Sequence, residues 1–297
     1  MQPALAGKFN GADDMSVNHQ GDMDDYCERI GYAGPREPTL AALRAIVAGH
    51  TAAIPFENLD VLAKRPIRLD LPALREKLVH HKRGGYCYEH NLLLLDVLLT
   101  LGFRAGGLAA RVHRSRPPGV IPPRSHMLLR VDLQDSSYLV DVGFGTALTA
   151  PLALEAGREQ NTPHEIFRLV PDGNEFDLQV RFGETWTALY RLSLQEQFPV
   201  DYEATNWFTS THPGSLFARN LIASRPGPRR RHTLFNDKFT IRHSDGNVER
   251  RRLQGVEELG DVLTHYFGIE LPGSDDIELG CRYCRRARAQ PDFFDRS

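Results

Sequence analysis

The first hundred residues carry apolar side chains at helical spacing. Leu40, Leu43, Ile46 and Val47 recur every three or four positions after Pro38, which predicts an amphipathic helix. The helix should end near residues 54–58, because Pro55 disfavours helical backbone at the residue before it. Residues 1–24 show no periodicity and predict a flexible lead-in.

Two further helices are expected before residue 100. Asp70-Leu71-Pro72 has the form of a helix start, with a capping side chain followed by an early proline, and this helix should run to about Lys82. Gly84-Gly85 ends it, and a third helix should begin near Cys87 and continue through Leu99. Since its leucines occupy nearly every face, we expect this third helix to be buried.

The pattern then changes to the alternation of β-strands. In Ser125–Leu133 one face carries Met127, Leu129, Val131 and Leu133, which is typical of a strand with one buried face. Ser137–Val142 should follow it after a short turn. The remaining strand candidates are Glu165–Val170, Phe176–Phe182 and Thr185–Leu192. The middle third therefore predicts an antiparallel sheet or a small barrel.

The last third mixes both periods. The predicted elements are a helix near Tyr202–Phe208, strands near Thr233–Arg242 and Val248–Leu253, and a helix over Val256–Phe267. Arg225–Arg231, which is rich in proline, glycine and arginine, predicts a loop.

Composition narrows the class of protein. Hydrophobic residues make up 41% and charged residues 25%, and the net charge is -2, so no basic field indicates a nucleic-acid partner. The longest apolar run, Leu92–Leu99, is interrupted by Asp96 and falls far short of the roughly 20 residues that a membrane span needs. No basic flank and apolar stretch mark the N-terminus as a secretory signal. We therefore expect a cytoplasmic protein with no membrane partner, whose four cysteines are not a disulfide framework.

One cysteine lies in a context that favours chemistry. Cys87 follows Arg83-Gly84-Gly85-Tyr86 and should begin the buried helix. The unpaired N–H groups and dipole of a helix N-terminus favour a thiolate. The dipole supplies at most about 2 kcal/mol, or roughly 1.5 pKa units. A strongly activated thiolate therefore also needs a neighbouring cation, usually a histidinium.

His126 and Asp141 could complete such a site. His126 lies at the start of a predicted strand, off its uniformly apolar face, and Asp141 lies in the apolar run of the neighbouring strand. A buried carboxylate needs a partner, and an imidazole on the adjacent strand would supply one. The order Cys87, His126, Asp141 would then give nucleophile, base and orienting carboxylate. Each residue alone is more often structural, so the argument depends on the three occurring together.

The surrounding motifs resemble those of the arylamine N-acetyltransferase family. Arg83-Gly84-Gly85-Tyr86-Cys87-Tyr88-Glu89 matches that family's Arg-Gly-Gly-x-Cys-x-Glu signature. Further matches, in the family's order, are Ile54–Asn58, Ser125-His126-Met127, Asp141–Gly145 and Asn206–Pro213. The resemblance covers roughly residues 25–270.

The resemblance implies an α+β fold with a cysteine-protease-like Cys-His-Asp arrangement. An N-terminal helical bundle would occupy residues 25–103, a central antiparallel β-barrel residues 104–210, and a C-terminal α/β lid residues 211–273. Residues 274–297 form a basic tail with Cys281 and Cys284 that matches nothing expected of the family. A zinc site there would lack two of its four ligands, so we expect no metal.

The resemblance also implies a reaction. Cys87 would take the acetyl group of acetyl-CoA, with His126 as base and Asp141 orienting it, and would pass the group to an arylamine, arylhydrazine or arylhydroxylamine by ping-pong kinetics. Acetyl-CoA would be a cosubstrate, and no cofactor would be bound permanently. Arg83 and Glu89 would support the cysteine. The substrate and CoA contacts would be Phe56, Ser125, Gly143, Phe144, Gly145 and Phe208.

Other functions remain open at this point. Cysteine proteases and transglutaminases use the same order of residues, and related amide synthases keep the acyl-enzyme but change the acceptor. A non-enzymatic binding module would leave the three matching motifs without a role. The arginines at 225, 229–231 and 250–252 either face solvent or bind the phosphates of CoA.

Overall fold

The computed structural model describes residues 19–113, 120–134, 136–145 and 148–270. The predicted tail with its Cys281-x-x-Cys284 pair lies outside this range. The helices of the first hundred residues share one apolar core. They are α1 (His19–Ile30), α2 (Leu40–Ala53), α3 (Leu59–Leu62), α4 (Leu71–Arg75) and α5 (Cys87–Thr100), and α4 continues as a π-helical turn over Glu76–His80.

The cap predicted at Asp70 is present, and Thr39 caps α2 in the same way. Thr39 Oγ1 accepts the N–H of Ala42 at 3.2 Å, and Asp70 Oδ1 accepts the N–H of Ala73 at 3.2 Å, so each start has one backbone donor satisfied. Helix α5 is buried along most of its length, as its leucines predicted. Helix α1 begins at His19, so regular structure starts inside the segment for which the sequence predicted a flexible lead-in.

An eight-stranded antiparallel sheet follows and encloses a second core. Its strands are β2 (Arg104–Val112), β3 (Arg124–Leu133), β4 (Ser136–Val140), β5 (Leu152–Ala153), β6 (Gln160–Asn161), β7 (Ile166–Asp172), β8 (Glu175–Phe182) and β9 (Thr185–Ser193). Their order is β5-β4-β3-β2-β9-β8-β7-β6. The sheet curls into a nearly closed barrel, as predicted, but its central strand β2 was not expected.

The outer face of β3 and β4 packs against the helices. Met127, Leu129, Val131 and Val140 belong to the helical core, while Leu128 and Leu139 point into the barrel. This alternation places the start of β3 and the end of β4 beside the N-terminus of α5. Asp141 lies one residue beyond β4, not within a strand as predicted.

The C-terminal third forms a five-stranded antiparallel sheet with the order β1-β10-β11-β12-β13. Its strands are β1 (Phe56–Glu57), β10 (Ile222–Gly227), β11 (Arg230–Phe235), β12 (Lys238–His243) and β13 (Val248–Arg252), and helix α8 (Val256–His265) covers one face. Strand β1 comes from the helical part of the chain, so the lid is bonded to the segment beside the candidate nucleophile.

Two predictions for this region were wrong. Residues 225–231 are not a loop, because β10 and β11 pair as a hairpin whose turn is Pro228-Arg229. Pro226 is tolerated because β1 pairs only as far as Ser224, so the missing N–H falls on a free edge. The single strand expected over 233–242 is two strands, since Asn236 has φ 56° and turns the chain.

Two helices join the barrel to the lid: α6 (Pro199–Thr211), longer than predicted, and α7 (Leu216–Arg219). Asn206 of α6 donates to the carbonyl of Ile67 at 3.0 Å, which ties α6 to the helical core. No helix among the described residues is long and apolar enough to cross a membrane. The domain boundaries proposed from the sequence stay predictions.

Candidate active site

Cys87 lies in the first turn of α5, and the loop that precedes it is held tightly in place. The N–H of Tyr86 donates to Glu89 Oε2 at 3.0 Å, and Lys77 Nζ donates to Glu89 Oε1 at 2.7 Å. Glu89 thus caps the N-terminus of α5, and Lys77 balances its negative charge. Cys87 is the first residue of the helix, where unpaired N–H groups favour negative charge.

A buried ion pair holds the preceding loop. Arg83 donates to Glu57 Oε1 from Nε at 3.0 Å and from Nη2 at 2.8 Å, and both side chains are buried. A Cβ on Gly84 would lie 2.0 Å from the Pro55 carbonyl oxygen, so only glycine permits this close approach. Arg83 and Glu89 therefore act on the position of the backbone around Cys87.

His126 and Asp141 meet beside the cysteine. His126 Nε2 lies 2.7 Å from Asp141 Oδ2. The Cys87 thiol donates to the Ser125 carbonyl at 3.8 Å, and it lies close enough to His126 to raise the pKa of that imidazole. Because Nε2 is engaged by the carboxylate, Nδ1 is the nitrogen that faces the thiol. Burial alone would lower the pKa of His126, but the charge and hydrogen bond of Asp141, with the contact to Cys87, raise that pKa to about 10.

Further groups hold the carboxylate of Asp141. Tyr190 donates from its hydroxyl to Oδ2 at 2.9 Å, Asn91 Nδ2 lies 3.3 Å from Oδ1, and the N–H of Gly143 donates to Oδ1 at 3.1 Å. These contacts satisfy a fully buried charge from several directions.

Asn91 and Tyr190 were not among the predicted site residues. Asn91 lies four residues after Cys87 on the same helix face, a spacing that could have marked it. Tyr190 occupies a predicted strand, and a buried tyrosine needs a partner for its hydroxyl. The identity of that partner depended on strand order, which the sequence does not reveal.

A cleft of about 250 Å³ opens onto Cys87 and His126. All six predicted contact residues line it: Phe56, Ser125, Gly143, Phe144, Gly145 and Phe208. Asp141 does not line this cleft and lies buried behind its wall. Phe144 packs edge-on to His126 with ring centroids 5.1 Å apart. A Cβ on Gly143 would lie 2.6 Å from Cys87 Cα, so this loop can reach the nucleophile only with glycine.

The aromatic wall includes a residue that sequence reasoning missed. Phe217 of α7 lines the cleft and packs against Phe56 with ring centroids 6.0 Å apart. Phe208 is partly exposed and stacks on His212. The cleft is therefore apolar and aromatic, with a thiol and an imidazole at its base, which suits covalent transfer of a group to or from a flat apolar molecule.

Comparison with known proteins identifies the family. A model of the N-acetyltransferase family matches residues 39–277. The chain belongs to the arylamine N-acetyltransferase family. It is 40% identical over 260 residues to the arylamine N-acetyltransferase of Escherichia coli, covering 87% of this chain and 91% of that protein.

Solved structures agree. The arylamine N-acetyltransferase of Mycobacterium marinum in complex with CoA is 39% identical, with a TM-score of 0.84, covering 89% of this chain and 98% of that one. The enzyme from Salmonella typhimurium is 37% identical with a TM-score of 0.83, covering 88% and 98%. Membership of the arylamine N-acetyltransferase family confirms the predicted α+β fold and the predicted acetyltransferase class.

Five arginines of the lid fall into two groups. Arg231, Arg251 and Arg252 are paired with Glu165, Glu258 and Asp237 at 2.8, 3.0 and 2.9 Å, so these pairs stabilise the lid. Arg225 and Arg230 instead line a second cleft. Within the described residues, no cluster of three or more His, Cys, Asp or Glu side chains is arranged to hold a metal ion.

Proposed function

We propose that the protein transfers an acetyl group from acetyl-CoA to an aromatic amine or hydrazine through an acetyl-Cys87 intermediate. The observation that carries this proposal is the 2.7 Å hydrogen bond between His126 and Asp141, formed beside Cys87 at the base of an aromatic cleft. The raised pKa of His126, about 10, favours an imidazolium beside the thiol, and hence a thiolate nucleophile.

The first half-reaction forms the acyl-enzyme. The Cys87 thiolate attacks the carbonyl carbon of acetyl-CoA, and the tetrahedral intermediate expels the sulfur of CoA. The His126 imidazolium gives its proton to that sulfur, so CoA leaves as a thiol and the imidazole becomes neutral. A new thioester on Cys87 replaces the one that is broken.

The second half-reaction transfers the acetyl group. The amine nitrogen attacks the Cys87 thioester while neutral His126 takes one proton from that nitrogen. Collapse of the intermediate forms the amide and releases the Cys87 thiolate beside the imidazolium. The Asp141 carboxylate orients His126 and balances the imidazolium in both steps, which is the part an orienting carboxylate takes in related triads.

Two observations support the substrates. Phe56, Phe144 and Phe217 give the cleft flat apolar walls, on which an aromatic ring can stack. The relative from M. marinum has been solved with CoA, and the same fold over most of this chain supports CoA as the product of the first step.

Steady-state kinetics test the proposal. Initial rates with acetyl-CoA and an arylamine such as aniline should give parallel double-reciprocal lines, because CoA leaves before the amine reacts. Cys87→Ser should keep the fold and lose turnover, while Cys27→Ser, a matched change at a buried cysteine of α1, should keep both. Intersecting lines, or turnover in Cys87→Ser close to wild type, would reject a covalent intermediate on Cys87.

A further inference from the structure

A second cleft, of about 510 Å³, lies between the lid, the barrel and α2, apart from the catalytic residues. We infer that this cleft is a binding site for a phosphate group. It will be called the arginine cleft and is defined by Arg225, Arg230 and His232 on the lid sheet, with Tyr266 after α8 opposite them. The inference is independent of the acetyl-transfer proposal.

Strand register brings the three basic residues onto one face. Arg225 of β10 pairs with His232 of β11, and Gly227 pairs with Arg230. Residues directly opposite each other in an antiparallel pair share a face, and so do residues two apart on one strand. Gly227 leaves the space between the others open, since a Cβ there would lie 3.6 Å from both Arg230 Cγ and His232 Cε1.

The charge of the arginine cleft is uncompensated. No aspartate or glutamate occurs among the described residues that line it, and no described carboxylate forms an ion pair with Arg225 or Arg230. Arg225 uses Nε to cap α2 at the Ala52 carbonyl, 2.7 Å away, which leaves its outer nitrogens available. The charge of Arg225 also helps burial to lower the pKa of the nearby Arg29, against an opposing contribution from Glu270.

His232 supplies a second, independent sign of a ligand. It is only 5% exposed, yet neither ring nitrogen makes a hydrogen bond of standard geometry with a described residue. Burial, followed by the charges of Arg230 and Arg225, lowers the pKa of His232 to about 4, against a smaller opposing contribution from the Tyr266 backbone. A neutral buried imidazole without partners costs free energy, and an anionic oxygen would accept its N–H.

Phosphate fits this set of donors better than a single-charge anion does. Two guanidinium groups offer planar forks of N–H donors that match phosphate oxygens. The phosphate could belong to a free phosphate compound or to CoA itself. Ile222 lines the catalytic cleft and Arg225 the arginine cleft, and three residues of strand separate them by about 10 Å, a distance that a long cosubstrate can span.

The test uses the whole protein and inorganic phosphate, titrated at constant ionic strength with chloride as the balancing anion. The ring resonances of His232, followed by NMR, should shift on binding, and its pKa should rise because a nearby anion stabilises the imidazolium. Arg230→Gln should weaken phosphate binding about tenfold or more, since a charge-assisted bond is lost. Arg229→Gln, an equal loss of charge at the neighbouring turn residue, should leave it unchanged.

Kinetics separate the two sources of phosphate. If Arg230→Gln raises KM for acetyl-CoA and leaves KM for p-nitrophenyl acetate unchanged, the phosphate is that of CoA. If both KM values stay constant while inorganic phosphate binds more weakly, the ligand is a separate phosphate compound. The inference is overturned if phosphate leaves His232 unperturbed, or if Arg229→Gln and Arg230→Gln weaken binding equally. Arg230→Lys, which keeps charge without the fork, guards against misfolding of the glutamine variant and should bind phosphate with intermediate strength.

Discussion

Replacing Asp141 with asparagine tests how the catalytic imidazole is set. Asparagine has the same shape as aspartate and can still meet Nε2 of His126, but it lacks the charge. In the protein the pKa of His126 is about 10, against an ordinary value of 6.5. That difference corresponds to roughly 5 kcal/mol of preference for the imidazolium, most of which depends on Asp141.

The expected loss follows from that preference. Without the carboxylate, His126 should be largely neutral near pH 7, because it keeps the burial that lowers its pKa and loses the charge that raises it. The thiol of Cys87 would then lose the neighbouring imidazolium that favours a thiolate nucleophile. We expect single-turnover acetylation in Asp141→Asn to fall by about three to four orders of magnitude.

Two assays measure the loss. Stopped-flow release of p-nitrophenol reports acetylation of Cys87, and the rate of iodoacetamide alkylation against pH reports its ionisation. Tyr190→Phe is the matched control, since it removes one hydrogen bond to the same carboxylate and keeps the charge. It should slow acetylation only about tenfold.

The result that refutes this reasoning is specific. If folded Asp141→Asn alkylates with the pH profile of the wild type, or acetylates faster than Tyr190→Phe, then Asp141 does not set the protonation of His126. Circular dichroism on each variant must show that the fold is retained before the comparison is made.

Three further outcomes are expected. Gly143→Ala should lower activity more than tenfold and destabilise the fold by about 1–3 kcal/mol, because its Cβ would lie 2.6 Å from the backbone of the nucleophile. Gly255→Ala, whose Cβ would meet nothing within 4 Å, should do neither. Equal effects in the two variants would disprove the steric argument. The pKa of His126 is raised to about 10, so the contribution of this imidazole to stability is complete below its ordinary pKa of 6.5 and is lost as pH rises through about 10. The difference in urea stability between wild type and His126→Gln should therefore narrow over that range. A difference that widens would contradict this prediction. Arg83→Ala should cost about 3–5 kcal/mol in chemical denaturation, because the buried Glu57 carboxylate loses its ion-pair partner and keeps, among the described residues, only the N–H groups of Leu59 and Gly84. A cost below about 1 kcal/mol would show that the pair is dispensable.

The site was more accessible to sequence reasoning than parts of the fold. Cys87, His126 and Asp141 lie in short motifs whose chemistry is local, and the expectation that they meet needed only two neighbouring strands and one helix start. Their distant partner Tyr190 could not be assigned, because its contact with Asp141 depends on β9 lying beside β2 in the barrel.

Strand β2 was missed for a physical reason. Its segment contains Gly106, Gly107 and several alanines, which have low strand propensity. Tertiary packing requires them, since a Cβ on Gly107 would lie 2.3 Å from the Tyr202 hydroxyl. Gly107 is therefore required by the close contact with α6, and the low strand propensity of this segment is why the strand was not predicted.

The hairpin of β10 and β11 was missed for a different reason. Proline, glycine and arginine at 225–231 are typical of a loop, yet proline is compatible with an edge strand. That β10 becomes an edge beyond Ser224 follows from the shortness of β1, a property of the assembled sheet. The same hairpin separates Arg231, which pairs with Glu165, from Arg230, which does not.

The central claim is that Cys87 accepts the acetyl group, and mass spectrometry of the intact protein tests it most directly. After incubation with acetyl-CoA and no amine, one acetyl group should be added per chain and map to the peptide containing Cys87. Adding an arylamine should then remove it and release the acetylated amine. An unmodified protein, or an adduct that maps to Cys27 and persists when amine is added, would contradict the account.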